Sequence, residues 1–156
     1  MDRNKISEMI LEGEEIIYTF NSTYAFNILA GSLAKSWMLK KWDKVLLSIS
    51  EHHANIVPWL ILKEQIWIQI EYVNITDNYE LDIQDFKNKY DDKVKVVSMT
   101  LASNVSWTVF DLKTVWKLIR EDTLFVIDGS QAVQYFKVDV NEYNADFFIF
   151  TGHKFM

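Results

Sequence analysis

The chain has 156 residues, 49% of them hydrophobic, a formal net charge of −6 and no cysteine. That length makes one domain with a full core the expectation, and the acidic balance leaves no basic footprint for nucleic acid. The missing thiols exclude a disulfide framework, thiolate metal sites and a cysteine nucleophile from within these residues.

In chain order, residues 15–20 read as a strand, and Phe26, Leu29, Ala30, Leu33, Trp37 and Met38 then fall on one helical face. Residues 44–50 form a buried strand, after which Asn55 is placed to cap a helix that tolerates Pro58 in its first turn. A third strand covers 68–73, a turn 76–78, and Ile83, Phe86 and Tyr90 mark the inward face of a short helix. Residues 94–99 are the fourth strand. Leu112, Val115, Trp116 and Ile119 stripe another helix, and 124–127 and 147–150 are the last two strands. Continuous apolar strands alternating with helices predict an α/β fold, a mostly parallel sheet sandwiched by helices with right-handed crossovers.

No repeat, low-complexity tract or linker interrupts this pattern. No apolar segment of signal-peptide length follows Met1, and the greasiest stretch, 56–70, is broken by Lys63, Glu64 and Gln65. Neither a leader nor a membrane span is expected, and a cytoplasmic location follows by default. Six tryptophans and 15% aromatics, against four glycines and one proline, must be buried or offered to a partner.

Ligands of such sheets bind beyond the carboxyl ends of the strands. Every predicted strand except the one ending at Val73 runs into polar residues there. They are Asn21, Ser22 and Thr23; Glu51, His52 and His53; Ser103 and Asn104; Asp128, Gly129, Ser130 and Gln131; and Thr151, Gly152, His153 and Lys154. An amine at Lys154 and a carboxylate at Asp128, presented from neighbouring strand ends, suit pyridoxal phosphate. The lysine forms an imine, and the carboxylate keeps the pyridine nitrogen protonated.

Each residue also has a plainer reading. Lys154 serves equally as a solvated lysine, and Asp128 with Gly129 as an ordinary turn. His52 and His53, as neighbours in a strand, point opposite ways and lack a third ligand at metal spacing, so no metal site is expected. Ser22 and Thr23 are first of all a helix cap, although the same exposed amides suit a phosphate.

The blocks Glu51-His52-His53-Ala54-Asn55-Ile56-Val57-Pro58-Trp59, Ser103-Asn104-Val105, Val126-Ile127-Asp128-Gly129-Ser130-Gln131-Ala132, Val138-Asp139-Val140 and 146–154 resemble the class V aminotransferase family. Within it they are most similar to the cysteine desulfurases and selenocysteine lyases. The resemblance implies that residues 1–156 are a truncated large domain of the pyridoxal-phosphate-dependent transferase fold (fold type I), without its C-terminal domain. It also implies pyridoxal 5′-phosphate as cofactor. Lys154 would form the imine and then move the substrate's α-proton. Asp128 would pair with the ring nitrogen, His52 would stack on the ring and act as acid or base, and Gln131 and Asn104 would meet the ring's phenolic edge. Thr23, Thr151 and His153, helped by Ser22, would hold the phosphate.

By the same resemblance the substrate is L-cysteine or L-selenocysteine, the sulfur passes to an acceptor protein in iron–sulfur cluster assembly, and the protein is a homodimer. The family's persulfide cysteine and substrate-clamping arginine belong to the part beyond these residues, so the isolated chain is expected to be inactive. Two departures stand out. Asn21 and Ala25 replace glycines of the phosphate loop, which implies weaker phosphate affinity, and Ser106-Trp107 replaces a small turn. The alternatives are a non-catalytic cofactor-binding or interaction module, and a class V aminotransferase or lyase for another amino acid.

Overall fold

The computed structural model describes residues 16–154. Five strands build one all-parallel sheet: β1 (Lys44–Ser48), β2 (Gln69–Val73), β3 (Val94–Thr100), β4 (Leu124–Asp128) and β5 (Phe147–Ile149), in the order β2-β1-β3-β4-β5. The helices are α1 (Ser22–Lys35), α2 (Val57–Ile66), α3 (Ile83–Lys89), α4 (Leu112–Trp116) and α5 (Ala132–Tyr135). The predicted α/β sandwich is therefore the observed architecture.

The strand period divides the core into two layers. Val45, Leu47, Val96 and Val126 cluster with Phe26, Leu29 and Leu33 of α1 and Trp59 and Leu62 of α2. Leu46, Val97, Met99, Phe125 and Ile127 cluster with Phe86 of α3 and Leu112 and Val115 of α4. Coverage on both faces is what an all-parallel sheet needs. It buries every residue of β1, even Lys44, whose ammonium is held by Glu71 at 2.6 Å and Asp91 at 2.8 Å.

The direction of chain travel reverses at β1. Helix α2 carries the chain outward from β1 to β2, and α3 returns it across the opposite face to β3. The crevice beyond the carboxyl ends of β1 and β3 is therefore a topological switch point, the place where such sheets take their ligands. Helix α1 ends at Lys35 and a short connector leads straight into β1, so α1 runs against the strands. Its first turn stands at the same carboxyl end, and the helix touches β5 and the 3₁₀ turn His53–Asn55.

Two expectations are corrected here. Residues 16–20 form no strand, and Glu15 lies outside the described residues. Ile17 and Phe20 are 80% and 90% exposed, so that apolar run has no neighbouring strand to pack against, and β propensity is expressed only in such packing. Helix α1 stops before Trp37 and Met38, which are exposed, with Trp37 at φ 62°. The Leu39 N–H folds back onto the Leu33 carbonyl at 3.1 Å, and Leu39 takes the buried place instead. Among the described residues no helix is long and apolar enough to cross a membrane.

Candidate functional site

Strand β4 delivers Asp128 to the carboxyl end of the sheet, in register with Thr100 of β3 and Ile149 of β5. The residue is 3% exposed, and its Oδ1 accepts the Ser130 N–H at 2.9 Å. Burial raises its affinity for a proton, offset in part by Ser130 and more weakly by the charges of His52 and Lys154. The Ser130 hydroxyl is buried, meets no partner at full hydrogen-bonding geometry among the described residues, and still draws the Asp128 carboxyl toward its charged form. A buried acid with unused acceptor capacity can accept a further N–H.

Gly129 is needed for close approach, not for a left-handed turn. A Cβ there would meet the Phe148 ring at 2.1 Å, while the Gly129 N–H donates to the Ile149 carbonyl at 2.8 Å. Phe148 of β5 thus presses on the backbone that aims Asp128.

Beyond β1 the chain leaves the sheet before reaching the histidines, so the two do not alternate across a strand as expected. The His52 Nδ1 accepts the Ala54 N–H at 3.1 Å and caps the turn His53–Asn55. That bond leaves Nε2 as the nitrogen available to a ligand. The His53 ring stands edge-on to His52, with centroids 6.2 Å apart.

Asn55, expected as a helix cap, is instead fully buried. Its amide donates to Glu51 Oε2 at 2.7 Å, and its Oδ1 accepts from Trp59 Nε1 at 3.1 Å and Ser98 Oγ at 2.6 Å. Helix α2 follows Ile56, which offers no side-chain cap, and has Pro58 in its first turn. A carboxamide, donor and acceptor in one group, satisfies more buried partners in the core than at a solvated helix end.

The cap of α1 is likewise displaced by one residue from the expected Ser22 and Thr23. Asn21 is extended, at φ −169° and ψ 173°, and its Oδ1 accepts the Tyr24 N–H at 2.8 Å. Ser22 and Thr23 already belong to the helix, so their hydroxyls are not used as caps. Thr151 is buried, and its Oγ1 is hydrogen-bonded to His153 Nδ1 at 3.0 Å within the turn that ends at Lys154.

The charges of His52 and Lys154 act weakly on Asp128, and a hydrogen bond joins Thr151 to His153. Gln131, at the start of α5, accepts from the Gln134 side chain, and Asn104 is exposed in the turn after Ser103. Ser22, Thr23, Gln131 and Asn104 share the sheet end without a hydrogen bond to Asp128, His52 or Lys154. Trp107, at φ 61°, is 66% exposed and packs edge-on against Tyr135 at 5.3 Å, so its indole does not fill the crevice. Sequence reading gave no role to Glu51 or Ser130, buried polar residues of the site. Only their place directly after a buried strand marks them. A separate surface hollow of about 590 Å³, lined by Trp42, Lys63, Glu64, Trp67 and residues of β2, holds none of these side chains.

Known proteins resemble this chain in sequence and fold over nearly its whole length. A cysteine desulfurase of Yersinia pseudotuberculosis serotype O:1b (strain IP 31758) is 34% identical over 155 residues, 97% of this chain and 38% of that protein. The crystal structure of the cysteine desulfurase CsdA from Escherichia coli matches with a TM-score of 0.90 and 25% identity, over 97% of this chain and 39% of the other. The apo cysteine desulfurase of Thermococcus onnurineus NA1 gives 0.89 and 28%, over 98% and 38%. The chain spans under two fifths of the length of these relatives. The model of the aminotransferase class-V family matches residues 2–156, and the chain belongs to that family.

Proposed function

We propose that residues 1–156 are the cofactor-binding portion of a pyridoxal 5′-phosphate-dependent cysteine desulfurase. One observation carries this reading: Asp128 is buried, has acceptor capacity to spare, and feels both His52 and Lys154. A buried carboxylate is costly to leave alone, and a protonated ring nitrogen compensates it far better than water does. The Ser130 N–H and hydroxyl support the same carboxylate.

When bound, the cofactor supplies an electron sink that acidifies the bonds at an amino acid's α-carbon. The chain's own residues bind and orient it. Asp128 holds the proton at the ring nitrogen. Lys154 provides the primary amine for covalent attachment and then serves as the base at the α-carbon. His52 covers the ring face with its Nε2 free, and Gln131 and Asn104 serve the ring edge. Ser22 and Thr23, with the free amides of the first turn of α1, hold the phosphate together with Thr151 and His153.

The substrate follows the names of the relatives, L-cysteine or by extension L-selenocysteine. These 156 residues contain no cysteine, so the thiol that receives sulfur comes from outside them. We therefore expect no sulfide release from this chain alone. A homodimer and a sulfur-acceptor protein for iron–sulfur cluster assembly, in the cytoplasm, complete the proposal. Exposed Trp37, Trp42 and Trp67 offer surface for such partners.

The test is reconstitution with pyridoxal phosphate, borohydride reduction and peptide mass mapping. The expected result is a visible absorption band and a pyridoxyl adduct on the peptide containing Lys154, both lost in Lys154→Ala. A folded chain that stays colourless and carries no adduct would refute the reading and favour an interaction module.

A further inference from the structure

We infer that Glu51 is a positioning residue: it latches the turn that carries His52 to the end of β3 and places that turn under the influence of Asp128. The inference deepens the proposed function, but the latch itself is visible without any cofactor.

Glu51 is buried where the chain leaves β1, and its carboxylate accepts from three separate elements. Ser48 Oγ of β1 donates to Oε1 at 2.5 Å, and the Thr100 N–H at the end of β3 donates to the same oxygen at 2.8 Å. Asn55 Nδ2 donates to Oε2 at 2.7 Å. Asn55 closes the short turn that His52 caps, and its Oδ1 is held in place by Trp59 and Ser98. Thr100 is the register partner of Asp128. One carboxylate therefore spans from the imidazole's turn to the strand end beside the catalytic-end acid.

The bridge has a fixed polarity. All three partners donate, and Asn55 cannot be turned over without setting its NH₂ against Trp59 Nε1–H. Among the described residues, the groups hydrogen-bonded to Glu51 are a hydroxyl of β1, a carboxamide of the turn and a backbone N–H of β3, all neutral. Asp128 of β4 is the charge that acts on it, and His52 and Lys154 act in turn on Asp128. Burial, reinforced by Asp128, lifts the Glu51 carboxyl from 4.5 to about 7 against the pull of its hydrogen bonds. The latch is thus coupled by charge to the acid that would receive a ligand.

Amide hydrogen exchange on the ligand-free full chain reads the latch, because the Ala54 N–H is bonded to His52 Nδ1. Above pH 7, where Glu51 is ionised, Glu51→Gln sets one amide donor against another, so Ala54 protection should fall about tenfold, the equivalent of one lost bond. Protection in β3 and β4 should fall less. Combining Glu51→Gln with Asn55→Asp reverses donor and acceptor, rebuilds the bridge and should return Ala54 protection to within about threefold of native. Pyridoxal phosphate affinity should fall and recover in parallel. Unchanged Ala54 protection, or a uniform loss that the double change does not repair, overturns the inference. If Glu51→Gln does not fold, the unmutated chain decides. Its Trp59 indole N–H resonance should move with a midpoint near pH 7 as Glu51 titrates, and an unmoved resonance overturns the inference equally. Failure of the cofactor to bind all three chains would sink the proposed function, while Ala54 still judges the latch.

Discussion

Raising the pH toward neutrality should destabilise the ligand-free chain, the reverse of what most proteins do over that range. Glu51 carries the effect. Its proton is released near 4.5 when the chain is unfolded but near 7 in the fold, where burial penalises the charge. Between those values the folded state binds a proton that the unfolded state has lost, so stability falls as pH rises. The contribution is fully present below pH 4.5 and gone above about 7, and a shift of that size corresponds to about 3 kcal/mol. Asp128, also raised by burial, adds in the same direction. Asp85, Asp91, Asp111 and Asp122 are held below the usual 3.8 by hydrogen bonds from Lys89, Lys44, Thr114 and Lys95, so their stabilisation is lost only at more acid pH and does not mask the slope. The assay is urea denaturation of the native chain and of Glu51→Gln at several values between pH 4.5 and 7. The native chain should lose about 3 kcal/mol relative to the variant across that interval. Parallel curves for the two proteins would refute the placement of a buried, proton-binding Glu51.

Gly129→Ala should cost about 1–3 kcal/mol in the same assay, because the new methyl lands on the Phe148 ring. Adding Phe148→Leu should make the pair cost less than the sum of the single changes, and simple additivity would show that the ring is not pressed on Gly129. Asn21→Ala should lower stability by about 1 kcal/mol through loss of the α1 cap. A thermal midpoint unchanged by that substitution would return capping to Ser22.

The sheet was legible because a strand buried on both faces has no polar side to show: 124–127 reads as an unbroken apolar run, and 44–50 and 94–99 are mainly apolar, interrupted by lysine and serine alone. Asp128 was legible as a candidate because it follows such a run directly, and Lys154 because it closes the short polar segment after 147–150. Residues 16–20 misled for the converse reason: their apolar pattern is local, whereas a strand exists only when another pairs with it. Trp37 and Met38 continue the helical period of α1, yet the chain turns off after Lys35 to reach β1, and a period carries no notice of that turn. Asn55 has a good capping side chain in the right place. Nothing local announces that Ser98, far along the chain, would claim the same carboxamide.

The amino-acid order by itself determined the alternation of elements, the burial of the strands and the chemistry available beyond their ends. Those follow from side-chain polarity and from periods of two and 3.6 residues, which act over short distances along the chain. Tertiary structure alone decided which of those polar groups meet. Strand order brings the ends of β1, β3, β4 and β5 together and buries Glu51 and Asp128 there, where the charge of Asp128 adds to the effect of burial on Glu51. Proton affinity depends on burial and on neighbours from distant segments, and only the folded chain sets both.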